Sequence, residues 1–324
     1  MNMKIMRKTA WILIVSALTG TSINAQVRND VIKVFNEGAK SAQTDPQSAI
    51  DSFEKVITLS DQVGETANDL KQKATKILPG LYVNVANNAM KAGKPGPEII
   101  NAAKKAAAAA EKYGSATGKE NASKIIVQGY NALATDFFAK KDYGNALLAF
   151  DSLLSINPGY LNAIYNKALI YKSQNNANAF EGTVDLFLEK LKSGNDTAKI
   201  KQTSSMALEY FRGAGSQANQ ADSLDKALAL LNKAAKYGTD KDLFYYFADV
   251  YNKQKNFDSG AEHAQKGLDL ETGDAEAKAK FYYQLAVAQV GKGQKTDACT
   301  SFKNAMYGAF TEASKAQRTN LKCE

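Results

Sequence analysis

Along nearly the whole chain, apolar residues return every three or four positions, as in Leu147, Phe150, Leu153 and Leu154, or Leu224, Leu228, Leu231 and Ala235. That period puts them on one face of an α-helix. Few stretches show the alternation of two that a half-buried strand requires. Polar segments interrupt the pattern at 91–97 (KAGKPGP), 193–196 (SGND) and 271–274 (ETGD), where Gly, Pro and Asn stop helices. Segments between such breaks run about a dozen residues, which predicts pairs of short helices and not long coiled coils. The chain reads as all-α.

The first 25 residues stand apart from this pattern. Lys4, Arg7 and Lys8 precede the apolar run AWILIVSAL (residues 10–18), and small and polar residues follow up to INAQ. That order is an export signal, with cleavage expected after Ala25. The run is too short to stay as a membrane anchor, which needs about 20 apolar residues, and no Cys lies near the cut to take a lipid. Nothing later in the chain is apolar enough to span a bilayer. Cleavage leaves 299 residues and lowers the net charge from +8 to +5. It also removes Trp11, the single tryptophan.

The helical pattern repeats. Tyr130, Leu133-Ala134 and Phe137 lead into Ala146, Phe150, Leu153 and Pro158; Phe244, Phe247-Ala248 and Tyr251 lead into Gly260, Ala264 and Gly267; Tyr282 and Leu285-Ala286 lead into Ala298, Phe302 and Ala305. In each, twelve positions separate the small residue of the first helix from that of the second (134 to 146, 248 to 260, 286 to 298). Weaker copies fill the gaps. Ala168 follows Ala134 by 34 residues, with Ile164 and Tyr171 in register. Thr203, Met206-Ala207 and Tyr210 lead into Ala227 and Leu231 across eight extra residues within 213–222. Tyr82, Val85-Ala86 and Ala89 lead into an Ala-rich second helix, and Val34 and Gly38 into Ala49 and Phe53.

These landmarks resemble the tetratricopeptide repeat (TPR), which pairs an aromatic, a Leu-small dipeptide and a Tyr with a later Ala, Phe and Pro. The resemblance covers most of the chain after the leader. It implies a right-handed superhelical solenoid of antiparallel helix pairs, with about seven pairs over 26–312, the clearest at 127–160, 241–274 and 279–312. Residues 313–324 form a polar capping helix and tail. Small residues at the crossings let helix axes approach closely, while larger neighbours fill the groove beside them.

Candidate chemistry is sparse. His263 is the one histidine, and its neighbours SGAEHAQKG offer no nucleophile pattern, so it reads as a surface or inter-repeat residue. No metal-ligand spacing exists, no cofactor is implied, and GKGQKT (291–296) lacks the spacing of a phosphate loop and reads as a turn between helices. Acids such as Asp185 and Glu189 fall on solvated faces. The stretch AAKKAAAAAEK (102–112) has no bulky apolar face for a membrane and suits close packing against a neighbouring helix. Cys299 and Cys323, both in the last thirty residues, leave two states open: a disulfide tying the tail to the last pair, or two free thiols.

The TPR resemblance directs the search for function to the concave face made by first helices. Counted from each small landmark, that face is expected to hold Asn84, Asn87, Asn131, Thr135, Tyr165, Asn166, Tyr245, Tyr246, Asp249 and Tyr283. Asn bonds a peptide backbone through both ends of its amide, and Tyr offers area with a polar tip. Of the Lys/Arg/Asn clamp by which some TPR proteins hold a C-terminal carboxylate, only Asn166 and Asn87 have counterparts here. The expectation is an exported, non-enzymatic adaptor that holds a protein or peptide segment in a Gram-negative periplasm or envelope, with no role for nucleic acid. The alternative is binding of glycan or peptidoglycan.

Overall fold

The computed structural model describes residues 27–192, 194 and 196–324. The expected leader, its cut after Ala25 and Trp11 lie outside the described residues. Among the described residues there are α-helices and short 3-10 turns and no strand. The chain divides into two compact units, the first ending at Ala163 and the second starting at Ile164.

The first unit holds α1 (27–41), α2 (Pro46–Val63), α3 (Asn68–Lys91), α4 (Gly96–Lys112), α5 (Ala116–Ala139) and α6 (Tyr143–Ile156). The boundary falls in α7 (Leu161–Ser173). The second unit continues with α8 (Ala177–Lys192), α9 (Thr197–Gln220), α10 (Leu224–Tyr237), α11 (Lys241–Lys253), α12 (Phe257–Leu270), α13 (Ala275–Gly291), α14 (Lys295–Asn304) and α15 (Thr311–Asn320). Connections this short force consecutive helices to fold back antiparallel. Within each unit neighbouring helices along the chain pack on one another, the arrangement of an α-solenoid.

Each unit has its own apolar core. In the first, Ile50, Phe53 and Val56 of α2 close on Leu70, Ala74 and Leu78 of α3. Further along, Ala103 and Ala106 of α4 meet Ala86 of α3 and Ala122 and Ile125 of α5. The Ala-rich stretch at 102–112 is thus a close-packing surface. A Cβ added at Gly129 of α5 would lie 2.7 Å from Ile100 Cγ1, so α4 and α5 approach to a distance that only small residues permit. In the second unit Phe180, Phe211, Leu231, Leu243 and Phe247 join one core.

Several helix starts share one chemical device. Asp142, Asp196, Asp240 and Asp274 each accept the backbone N–H three residues on, at 3.3, 3.0, 2.7 and 3.0 Å. These N-caps satisfy donors that the first turn leaves without partners. At the other end, a left-handed residue stops each first helix from α3 to α13: Gly93, Lys141, Asn175, Asp222, Lys255 and Gly293. The next residue's N–H then reaches back five positions, as in Asp142 to Phe137 O at 2.9 Å and Ser223 to Ala218 O at 2.9 Å, the closing bond of a Schellman motif.

This exit fixes the register of the six pairs that begin with α3, α5, α7, α9, α11 and α13 and corrects one of the sequence expectations. The left-handed residue follows the small crossing residue by seven positions in five helices, from Ala86 to Gly93, Ala134 to Lys141, Ala168 to Asn175, Ala248 to Lys255 and Ala286 to Gly293. In α9 the same count from Asp222 leads to Gly215, not to Ala207. Gly215 is the contact point: an added Cβ would lie 2.7 Å from Leu231 Cδ2 and 3.3 Å from Ala227 O. Gly215 also precedes Ala227 by twelve positions, so the pair carries no insertion. The eight extra residues lengthen α9 at its start. At 24 residues, α3, α5 and α9 are twice the expected dozen, and their added turns pack against the preceding helix.

Candidate functional site

The expected face residues divide between the two units, and each set is described by itself. In the second unit the first helices α9, α11 and α13 are joined by a polar network. Asp249 of α11 accepts from Asn219 Nδ2 of α9 at 2.5 Å and from Gln284 Nε2 of α13 at 3.0 Å. Lys253 Nζ lies 3.3 Å from the Asp249 carboxylate and donates to Asn219 Oδ1 at 2.9 Å. Asn252 Nδ2 donates to the carbonyl and the side-chain oxygen of Gln284, both at 2.9 Å. Asn219, Asn252 and Gln284 are all buried. The network therefore fixes how these helices stack and has little left to offer a ligand.

The aromatic residues of this unit are similarly engaged. Tyr245 sits edge-on to Phe281 at 6.2 Å and to Tyr246 at 5.2 Å, with Lys280 Nζ over its ring at 5.4 Å. Burial pushes its phenol up to about 12, and the Asp249 charge adds to the effect. Tyr165 packs on Phe187 of α8 at 5.3 Å. Tyr283, expected on the open face, packs between Phe302 of α14 and Phe310 at 5.6 and 5.3 Å. Asn166 is half-buried beside Tyr165. His263 is enclosed by Phe244, Phe247 and Tyr251 of α11, and its Nδ1 lies 2.8 Å from Ser259 O. It acts as a packing residue.

The first unit presents a different surface. Asn87 and Met90 of α3 face Asn121, Lys124, Ile125 and Gln128 of α5 across a hollow of about 410 Å³. On α3, Asn84 and Asn87 lie on one helical face; on α5, Asn121, Gln128, Asn131 and Thr135 recur at three to seven positions and form the facing row. Thr135 Oγ1 donates to Asn131 O at 2.7 Å, and Lys124 pairs with Glu120 at 2.6 Å. Among the described residues the side-chain amides of Asn84, Asn87, Asn121, Gln128 and Asn131 hold no protein partner. Each therefore has both a donor and an acceptor available to a ligand.

Met90, Asn121 and Gln128 were absent from the sequence expectation; Asn121 lies before 127, where that repeat was expected to begin. The signal was present: Gln128 and Asn121 continue the row of Asn131 and Thr135 toward the start of α5, and Met90 follows Asn87 by three positions on α3. Of the expected face residues in this unit, Asn87 lines the hollow, while Asn84 lies on α3 and Asn131 and Thr135 on α5 outside its lining.

Among the described residues no group of three His, Cys, Asp or Glu side chains could hold a metal. No described helix is long and apolar enough to cross a membrane. Cys299 and Cys323 form a disulfide with Cα atoms 5.6 Å apart, which joins α14 to the end of α15.

Helix pairs that cross twelve residues apart and close with a left-handed residue seven positions after the crossing settle the architecture. The fold is of the tetratricopeptide type. No protein-family model and no curated protein matches the sequence. Solved structures similar to the chain include a tetratricopeptide repeat protein from Parabacteroides merdae, 16% identical, covering 92% of this chain and 99% of its own at a TM-score of 0.31. Another is YrrB, a TPR protein with an unusual peptide-binding site, 15% identical over 58% of this chain and 91% of its own at 0.35. The TPR domain of P58(IPK) is 12% identical over 90% and 98% at 0.31. In the TPR frame the amide-lined hollow lies on the face of two consecutive first helices, α3 and α5.

Proposed function

We propose that the protein is a non-enzymatic scaffold that holds an extended peptide segment of a partner protein against the α3–α5 face. One observation carries this reading: the side-chain amides of Asn87, Asn121 and Gln128, all without protein partners, line a preformed hollow, whereas the corresponding polar groups of α9, α11 and α13 bond to one another. Amides satisfy the alternating N–H and C=O groups of an extended backbone without demanding a charge on the ligand. The lone ammonium at the hollow, Lys124, is already paired with Glu120, so a C-terminal carboxylate is not the favoured anchor.

Export to a Gram-negative envelope is part of the same proposal. It is supported by the basic start, apolar run and small-residue cut of residues 1–25 and by the Cys299–Cys323 disulfide, a bond that oxidising compartments preserve.

The test is selection of binding peptides from a random displayed library, followed by titration against the parent and an Asn87→Ala/Gln128→Ala variant. The variant is expected to bind at least about tenfold more weakly, as two lost ligand hydrogen bonds imply. Equal affinities would remove the α3–α5 face from the mechanism. Retention on a peptidoglycan column, with no peptide selected, would favour the glycan alternative.

A further inference from the structure

A second recess lies at the C-terminal end of the second unit, away from the first-helix network. Lys295, Thr296, Thr300 and Lys303 of α14 and Arg318 and Lys322 from the end of α15 line about 530 Å³. The Cys299–Cys323 bond lines it too and holds its two walls together. Arg318 is aimed by main-chain carbonyls: Nη1 donates to Cys299 O, and Nη2 donates to Glu324 O at 2.7 Å. Lys322 occupies the left-handed region at φ 50°, fixed by its N–H to Thr319 O at 3.0 Å and by the Cys323 N–H to Arg318 O at 2.9 Å.

Charge distinguishes this recess from the rest of the surface. Some lysines of the unit stand in ion pairs, such as Lys233 with Glu181 at 2.8 Å, Lys280 with Asp242 at 2.6 Å and Lys292 with Asp258 at 2.7 Å, and unpaired ones such as Lys201 and Lys226 do not share a recess with three other cations. Among the described residues Lys295, Lys303, Lys322 and Arg318 stand in none, and the one carboxylate side chain lining the recess is that of Glu324. Four cations around one concavity repel one another and focus a positive potential into it. Gln294 gives α14 no side-chain cap; the Lys295 N–H donates to Gly293 O at 3.0 Å, which leaves the Thr296 N–H of the first turn open at the same place.

We propose that this recess binds a phosphate-bearing anion, with Lys295, Lys303 and Lys322 as the contacting groups and Arg318, whose Nη1 and Nη2 are held by main-chain oxygens, as a fixed positive charge beside them. Compact ammonium groups suit the oxygens of a phosphate. The disulfide prepares the site by fixing α15 on α14 before the ligand arrives. The same chemistry is offered by a soluble polyphosphate and by the headgroup of an anionic phospholipid.

Calorimetric titration of the protein with sodium pyrophosphate tests the assignment. Binding is expected at low salt and should weaken as ionic strength rises. Lys295→Ala/Lys303→Ala and Lys322→Ala should each weaken it about tenfold. Lys322→Arg should retain it, and Lys201→Ala, an exposed lysine on α9, should leave it unchanged. Absence of heat with the parent at low salt, or an equal loss in Lys201→Ala, overturns the proposal. Circular dichroism of each variant separates lost binding from lost folding. Sedimentation with phosphatidylglycerol vesicles, against phosphatidylcholine alone, assigns the source: vesicle binding displaced by pyrophosphate identifies a lipid headgroup, and pyrophosphate binding without vesicle binding identifies a soluble anion.

Discussion

A buried carboxylate closes α12. Glu271 accepts from Lys241 Nζ at 3.0 Å and from the Gly273 N–H at 2.9 Å, and Lys241 and then Gly273 hold its carboxyl below the usual range. A carboxyl whose folded pKa lies below the unfolded value of about 4.3 contributes stability above that value and loses it as pH falls through the folded pKa. Glu271→Gln is therefore expected to lower the urea midpoint at pH 7 and to match the parent near pH 3. An offset that stays constant across this range would assign the effect to packing. Side chains of this kind were hidden from sequence reasoning. Asp249 and Tyr245 were placed on the correct helix, but whether a polar group is available or consumed depends on Asn219, Gln284 and Phe281, which come from other helices 30 or more residues away. Asn87 and Asn131, by contrast, have no protein partner for their side-chain amides, so no residue from another helix decides their state.

The helix pair was the most legible element, because its crossing residues identify themselves. Ala134 and Ala146, Ala248 and Gly260, and Ala286 and Ala298 are small where two axes must approach, and polar turns mark the ends between them. The α9 pair was misread for a geometric reason. Ala207 and Gly215 are eight residues apart, close to two full turns, so both lie on one face and apolar period cannot choose between them. The left-handed exit at Asp222 decides. Two substitutions two positions apart in α9 measure the result by urea unfolding. Gly215→Ala drives a methyl into Leu231 and is expected to cost about 1–3 kcal/mol. Gly213→Ala meets nothing within 4 Å and is expected to stabilise the helix by about 1 kcal/mol. Equal effects would return the crossing to Ala207.

Repeat arrays of this type gain stability from each pair and from the contact with its neighbour, so a local change need not spread. The Cys299–Cys323 bond closes a loop of 24 residues, and a Cys299→Ser/Cys323→Ser variant is expected to lose about 3 kcal/mol of restraint on the unfolded chain. Hydrogen exchange should record the loss in α13–α15 and leave the protection of α3–α5 unchanged. Uniform loss throughout would mean that the whole chain unfolds as one block. The exits of the first helices bear on the chain as a whole in another way. Lys141, Asn175, Asp222 and Lys255 adopt a backbone conformation that glycine enters freely. Glycine at Lys141 and at Lys255 should raise the unfolding free energy by about 0.5–1 kcal/mol each, read by urea unfolding. The molecule thus has headroom to become more thermostable without a single change to its cores or to the α3–α5 face.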